Sequence, residues 1–272
     1  KGRSLDRTKR FETARKQYKT VVDEYYLTTY ADDAAFAIGL SLVAQNNFEE
    51  GIVSLIRFLE NYPKSDLLAD AKLSLGMAYV RSEKYSEGIS ILKQVWENDD
   101  SIHLWVPIFK TLISLYRKMH FFDAALKLNR EYIERFPNAG DIFDRRMEIG
   151  QLYLQIGEWD ESVRHYRPLL QIADAEREAE IQYYIGEACF NKGDFRTAIL
   201  EYIKVPVLGR KTKLDWGVTA LYQAAACYEK LGEPDGAIRM YRQIISETGA
   251  TSNYGRAAQE KLDMIQAESN EK

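Results

Sequence analysis

The sequence predicts an all-α solenoid of about six helical hairpins, and three observations carry that prediction. An outline seen in KYSEGISIL, Lys84 to Leu92, returns in NNFEEGIVSL, FFDAALKLN, EWDESVRHY, DFRTAILEY, EPDGAIRMY and RFETARKQY. Aligned on its small residue it falls at Ala14, Gly51, Gly88, Ala125, Ser162, Ala198 and Ala237, with spacings of 37, 37, 37, 37, 36 and 39. A second column, Gly2, Gly39, Gly76, Ile113, Gly150, Gly186 and Ala225, runs twelve residues ahead with the same spacings.

In chain order, residues 1–28 read as a partial repeat. Gly2 belongs to the first-helix column, so the chain starts partway through a first helix, as expected of a fragment of a longer array. Arg10 to Tyr25 is then a lone second helix. Full repeats follow at 32–65, 69–102, 106–139, 143–176, 179–212 and 218–251, and a capping helix at 252–268, NYGRAAQEKLDMIQA, ends in the polar tail ESNEK. Each repeat pairs two amphipathic helices, as in LLADAKLSLGMAYV and YSEGISILKQVW. The turn between them falls at Asn46, Glu83, His120, Gly157, Gly193 and Gly232. Glycine and asparagine tolerate the left-handed conformation that ends a helix, whereas Glu83 and His120 fit it less well. Where paired helices cross, the small columns let backbones approach. Tyr79, Tyr116, Tyr153 and Tyr228 are placed to fill the space beside that crossing. One pair cannot bury its apolar stripe alone, so the next must stack on it. The 39-residue interval places extra residues in VPVLGRKTKLDWG, read as a tolerated insertion, with a second contact loop around Trp216 as the alternative.

Composition excludes several functions. The 272 residues are 46% hydrophobic and 29% charged with a net charge of -4, the wrong sign for a nucleic-acid surface. The longest apolar run, AAFAIGLSLVA, is too short to span a bilayer. The first nineteen residues hold eight basic and two acidic side chains, read as a solvated helix face. Cys189 and Cys227 lie in apolar helical stretches and read as small core hydrophobes. No two of His103, His120 and His165 have metal-binding helical spacing, and each reads as a surface or boundary histidine. GRKTK at Gly209 to Lys213 lacks the first glycine and the strand of a phosphate loop. Neither enzyme chemistry nor a cofactor or metal is expected.

The motifs Leu75-Gly76-x2-Tyr79, Ile149-Gly150-x2-Tyr153, Ala198-x3-Tyr202 and Ala237-x3-Tyr241, with Pro63 and Pro137 closing their repeats, resemble the tetratricopeptide repeat. The family's tryptophan is absent, Ile113 replaces one crossing glycine, and the period exceeds the common ~34. The links FLENYPKSDLLADA and YIERFPNAGDIF look like those of bacterial cell-envelope members, the outer-membrane β-barrel assembly lipoprotein and the Tol-Pal-associated periplasmic protein. The resemblance implies a right-handed superhelix and a non-catalytic scaffold holding protein or peptide partners. It suggests a periplasmic or envelope location, with the cytoplasm as the alternative. It also implies that first helices line a concave groove, apolar at Phe36, Leu40, Val43, Leu73, Met77 and Val80. The groove continues basic at Lys110, Arg117 and Lys118, through Met147, Gln151 and Leu154, to Tyr183, Glu187, Phe190 and Tyr222. Chaperone-binding members grip a terminal carboxylate with lysines and asparagines. Lys110 matches such a lysine, but Ser114, Glu148 and Gln151 replace the other clamp residues, so that mode is disfavoured. The alternatives are self-association through terminal helices, a spacer in a larger array, or a targeting region for a fused enzyme.

Overall fold

Apolar residues three and four apart wind the chain into α-helices that cannot stand alone in water and so pack in pairs. A computed structural model describes residues 10–28, 30–98, 102–208 and 215–270, which gather into two units, Lys1–Phe121 and Phe122–Lys272. The first holds α1 (Phe11–Glu24), α2 (Ala31–Ala44), α3 (Phe48–Asn61), α4 (Leu68–Arg81), α5 (Tyr85–Asn98) and α6 (Ile102–Lys118). Each helix packs on the next in sequence order, and α2, α4 and α6 also touch successively. The second unit holds α7 (Phe122–Arg135), α8 (Ile142–Ile156), α9 (Trp159–Leu169), α10 (Ala175–Lys192), α11 (Phe195–Tyr202), α12 (Val205–Leu208), α13 (Trp216–Lys230), α14 (Pro234–Thr248) and α15 (Asn253–Asn270). Here too neighbours stack in order, with α8, α10 and α13 in contact as successive first helices. Each unit is therefore an all-helical solenoid of stacked hairpins. At its end α15 caps the second, burying Ala258 and Leu262 against the α13–α14 pair.

The crossing columns explain why the hairpins close. A Cβ on Gly39 would meet Leu55 Cδ2 at 2.8 Å, and one on Gly76 would meet Leu92 Cδ2 at 2.7 Å. In the second unit the opposing residue is a tyrosine ring: a Cβ on Gly150 would lie 2.2 Å from Tyr166 Cζ, and one on Gly186 2.6 Å from Tyr202 Cδ1. Each pair is sixteen residues apart, and the opposing side chain is fully buried. The second-helix column works in reverse: Cβ atoms on Gly51 and Gly88 would strike Val43 Cγ2 at 2.7 Å and Val80 Cγ2 at 2.8 Å. At the serine of this column, Ser162 Oγ donates to the Gly150 carbonyl at 3.0 Å. Tyr116 and Tyr153 are buried, and a Cβ on Gly236 would lie 2.2 Å from Tyr228 Cδ1.

All six turn positions adopt positive φ, Glu83 (62°) and His120 (59°) included. Each turn makes the same two backbone bonds, such as Asn46 N–H to the Val43 carbonyl and Asn47 N–H to the Leu42 carbonyl, both 3.0 Å. These satisfy carbonyls a helix end leaves open. The non-glycine turns hold the strained conformation because the packed helices on either side impose it.

The fifth hairpin departs from a plain pair. Its second helix stops at Tyr202, and α12 resumes at Val205. Pro206 has no N–H to continue the ladder, so the chain breaks there. The short helix is nonetheless core: Val205 is fully buried, and a Cβ on Gly217 would meet Pro206 Cα at 3.2 Å. GRKTK and Gly2 lie outside the described residues.

His165, read from sequence as a surface or boundary residue, is half-buried in α9. Its Nε2 is 2.8 Å from the Arg146 carbonyl, and its ring lies 6.2 Å from that of Tyr153. Burial lowers its pKa, and the charges of Arg130 and Arg146 add to that.

Three outcomes are expected. Gly150→Ala, forced against a buried tyrosine ring, should destabilise by about 1–3 kcal/mol in denaturant melts. Glu83→Gly should stabilise by about 0.5–1 kcal/mol, since glycine relieves a left-handed residue at the expense of chain entropy. Because folding lowers the His165 pKa, its contribution is present above the unfolded value near ~6.5 and is lost as pH falls through the folded one. The melting temperature of the native chain should therefore drop more between about pH 7.5 and about pH 5 than that of His165→Gln.

Candidate functional site

First helices carry one stripe whose register is set by the crossing residue. Relative to Gly39, Gly76, Ile113, Gly150, Gly186 and Ala225 it occupies positions three before and one and four after. In the first unit these are Phe36, Leu40 and Val43; Leu73, Met77 and Val80; and Lys110, Ser114 and Arg117, followed by Lys118.

Packing claims several of the apolar members. Val43, 9% exposed, sits in the crossing against Gly51 and leaves the candidate set; β-branched side chains beside a close crossing fill its flanks. Val80 is half-buried over Gly88 in the same way. Phe36 packs its ring 5.5 Å from Phe58, and the Met77 sulfur accepts from Thr111 Oγ1 at 3.3 Å. Leu73 is half-buried, and Leu40 stays exposed at 39%. On α6 Leu104, Ile108, Leu112 and Leu115 are buried, while Lys110, Ser114, Arg117 and Lys118 are exposed. Lys118 Nζ donates to Tyr85 Oη at 2.5 Å and lies 4.8 Å from that ring's centre, which raises its pKa. The first unit thus offers a basic stripe on α6 and an exposed leucine on α2.

In the second unit Met147 and Leu154 are buried in the α8–α10 core, so the expected groove residues there reduce to Gln151. Around it five aromatic rings interlock. Tyr184 stacks on Tyr166 at 5.7 Å, and Tyr183 lies 5.5 Å from Tyr202. Trp216 closes on Tyr183 at 5.2 Å and on Tyr184 at 6.0 Å. The two rings beneath, Tyr166 and Tyr202, are those that occupy the Gly150 and Gly186 crossings. Polar groups finish the layer: Gln151 Nε2 donates to Tyr184 Oη at 3.0 Å, Tyr184 also bonds Glu180, and Tyr183 bonds Gln223. Burial pushes the Tyr183 hydroxyl up to about 12. Phe190 is half-buried against Phe195 at 5.4 Å, and Tyr222 sits edge-on to Tyr241 at 5.4 Å.

Two carboxylates behave oppositely here. Glu201 on α11 is almost fully buried, and burial pushes its carboxyl up. Lys204, Gln182 (2.6 Å) and Arg167 (3.1 Å) supply donors that outweigh this and hold it below its ordinary value. Glu187 on α10 is half-buried and raised by desolvation. Reading the stripe from sequence started at Tyr183 and so missed Glu180, one position pattern earlier; it missed Tyr184 and Gln223 because they join through hydrogen bonds, which spacing does not encode.

Cys189 and Cys227 are buried free thiols, the latter pushed up to about 12 by burial. Among the described residues no cluster of His, Cys, Asp or Glu is placed to hold a metal ion, and no helix is long and apolar enough to cross a membrane.

Parts of the chain are similar to known proteins. Tetratricopeptide repeat family models match residues 33–65, 219–247 and 147–205. A photosystem I assembly protein, Ycf3, of Prochlorococcus marinus subsp. pastoris is 37% identical over 79 residues, 29% of this chain. The chain spans only 44% of the length of that curated relative. Among solved structures, the C-terminal part of a TPR repeat-containing protein from Cytophaga hutchinsonii superposes with a TM-score of 0.66 at 13% identity, covering 94% of this chain and 97% of that one. A Naa15/Naa10 complex bound to HypK-THB gives 0.62 at 16% identity, covering 96% of this chain and 38% of that one. At such identities the likeness speaks for the fold alone. Tetratricopeptide repeat models thus match stretches inside both units, at hairpins that hold the small-residue crossings and left-handed turns described above, and in those stretches the chain is similar to that family.

Proposed function

We propose that the protein is a non-catalytic scaffold whose first-helix face holds protein or peptide partners. One observation carries this reading. On α6 Leu104, Ile108, Leu112 and Leu115 are buried, whereas Lys110, Ser114 and Arg117, at intervals of four and three, form an exposed polar line. Exposed, ordered charge on a rigid helix surface selects partners and speeds their capture more than it stabilises a fold. The envelope-like links around Pro63 and Pro137 support a bacterial cell-envelope setting for that scaffold, periplasmic in the finer reading; fractionation of the native cell tests this.

Self-association is the second reading. It is favoured by a run of exposed apolar side chains between α1 and α2: Tyr25, Tyr26, Leu27 and Tyr30, with Leu27 86% exposed. Such patches commonly mark interaction surfaces. A mass that rises with concentration in sedimentation, and that falls when Tyr26 and Leu27 are replaced by serine, supports it over partner capture.

Lys110→Glu combined with Arg117→Glu should weaken partner capture from a native extract by about tenfold or more while leaving stability within about 0.5 kcal/mol. Undiminished capture with a normal melting curve refutes the role of the α6 face.

A further inference from the structure

Resting on the scaffold reading, we propose that the first-helix face of the second unit binds a basic segment of a partner protein, seating an arginine side chain against Glu187 and the Tyr183 ring. Along α10 the residues Glu180, Tyr183, Glu187 and Phe190 recur at three, four and three, and all four are half-buried. Gly186 and Gln182 on the same helix face α11, and Tyr183 and Phe190 flank that seam against Tyr202 and Phe195, with Glu187 between them in the stripe.

Charge decides the occupant. The fold supplies donors to the acids it buries for its own sake: Glu201 takes Lys204, Gln182 and Arg167, and Glu148 takes Arg145. Among the described residues Glu187 has neither an ion pair nor a hydrogen bond, although desolvation raises its carboxyl. Both cations of α10 are turned elsewhere, Arg177 to Asp144 at 2.7 Å and Lys192 to Asp160 at 2.6 Å. The stripe's other carboxylate, Glu180, adds negative charge and is kept in place by Tyr184. A partly dehydrated carboxylate beside an aromatic wall is stabilised by a cation that brings its own hydrogen bonds. Arginine fits better than lysine, since a planar guanidinium can face an aromatic ring and fork onto a carboxylate.

The test uses the full chain and three fluorescein-labelled twelve-residue peptides of one helical sequence, bearing three arginines, three citrullines or three glutamates. Anisotropy titrations at physiological salt should show binding of the arginine peptide only. Glu187→Gln and Tyr183→Leu should each weaken it by about tenfold. Glu247→Gln, on the exposed outer side of α14, should leave it unchanged. The Glu187→Gln melting temperature should hold or rise, since an unpaired desolvated charge is removed, so lost binding cannot be laid to unfolding. Equal losses in Glu187→Gln and Glu247→Gln, or equal binding of the glutamate peptide, overturn the proposal. If these fail while the Lys110→Glu, Arg117→Glu variant still loses its partner, the cation assignment falls and the scaffold reading stands; if that variant keeps its partner, the scaffold reading falls with it.

Discussion

Close approach of two helices where a side chain is missing is the constraint on which the rest depends. At Gly39, Gly76, Gly150 and Gly186 the first helix gives up its Cβ, and the residue sixteen positions later fills the space. A leucine suffices in the first unit, and a tyrosine ring takes its place in the second. Interiors packed to crystal density admit no spare methyl at such a point. The crossing therefore sets how deep each hairpin closes, and with it which residues of the first helix remain on the outer stripe.

The turns serve the same end. Six left-handed residues with identical backbone bonds reverse the chain so that both small columns arrive at the crossing together. Pairs spaced near the repeat length then tie hairpin to hairpin: Ser65 to Asp32 in the first unit, and Arg177 to Asp144, Lys192 to Asp160 and Arg196 to Glu233 in the second. Exposed ion pairs of this kind add little stability singly; the apolar interfaces between neighbouring hairpins carry the stack.

Tyrosines link packing to the surface. Tyr166 and Tyr202 enter the crossings as core residues, yet their rings carry Tyr184 and Tyr183 above them, and Trp216 closes the layer from α13. A device that lets two helices meet thus also builds a rigid aromatic floor beneath Glu187. Rigid floors reduce the ordering cost that a bound segment must meet.

The sequence by itself determined the repeat, its register, its turns and its glycine crossings, because a period of 37 writes the same local physics at each pass. Even the poorly suited turn residues Glu83 and His120 were placed correctly by that period, although their types argued against it. Only the tertiary structure decided which stripe residues are spoken for. Val43, Met147 and Leu154 share helical positions with exposed neighbours in other repeats, but they are buried, because depth depends on what the adjoining hairpin presents. Pairing was equally illegible: Glu201 and Glu187 are both glutamates beside apolar residues, and only the arrival of Lys204, Gln182 and Arg167 through folding separates the satisfied acid from the waiting one. Periodicity records local packing along one helix, whereas burial and charge compensation are set by side chains that other helices bring in.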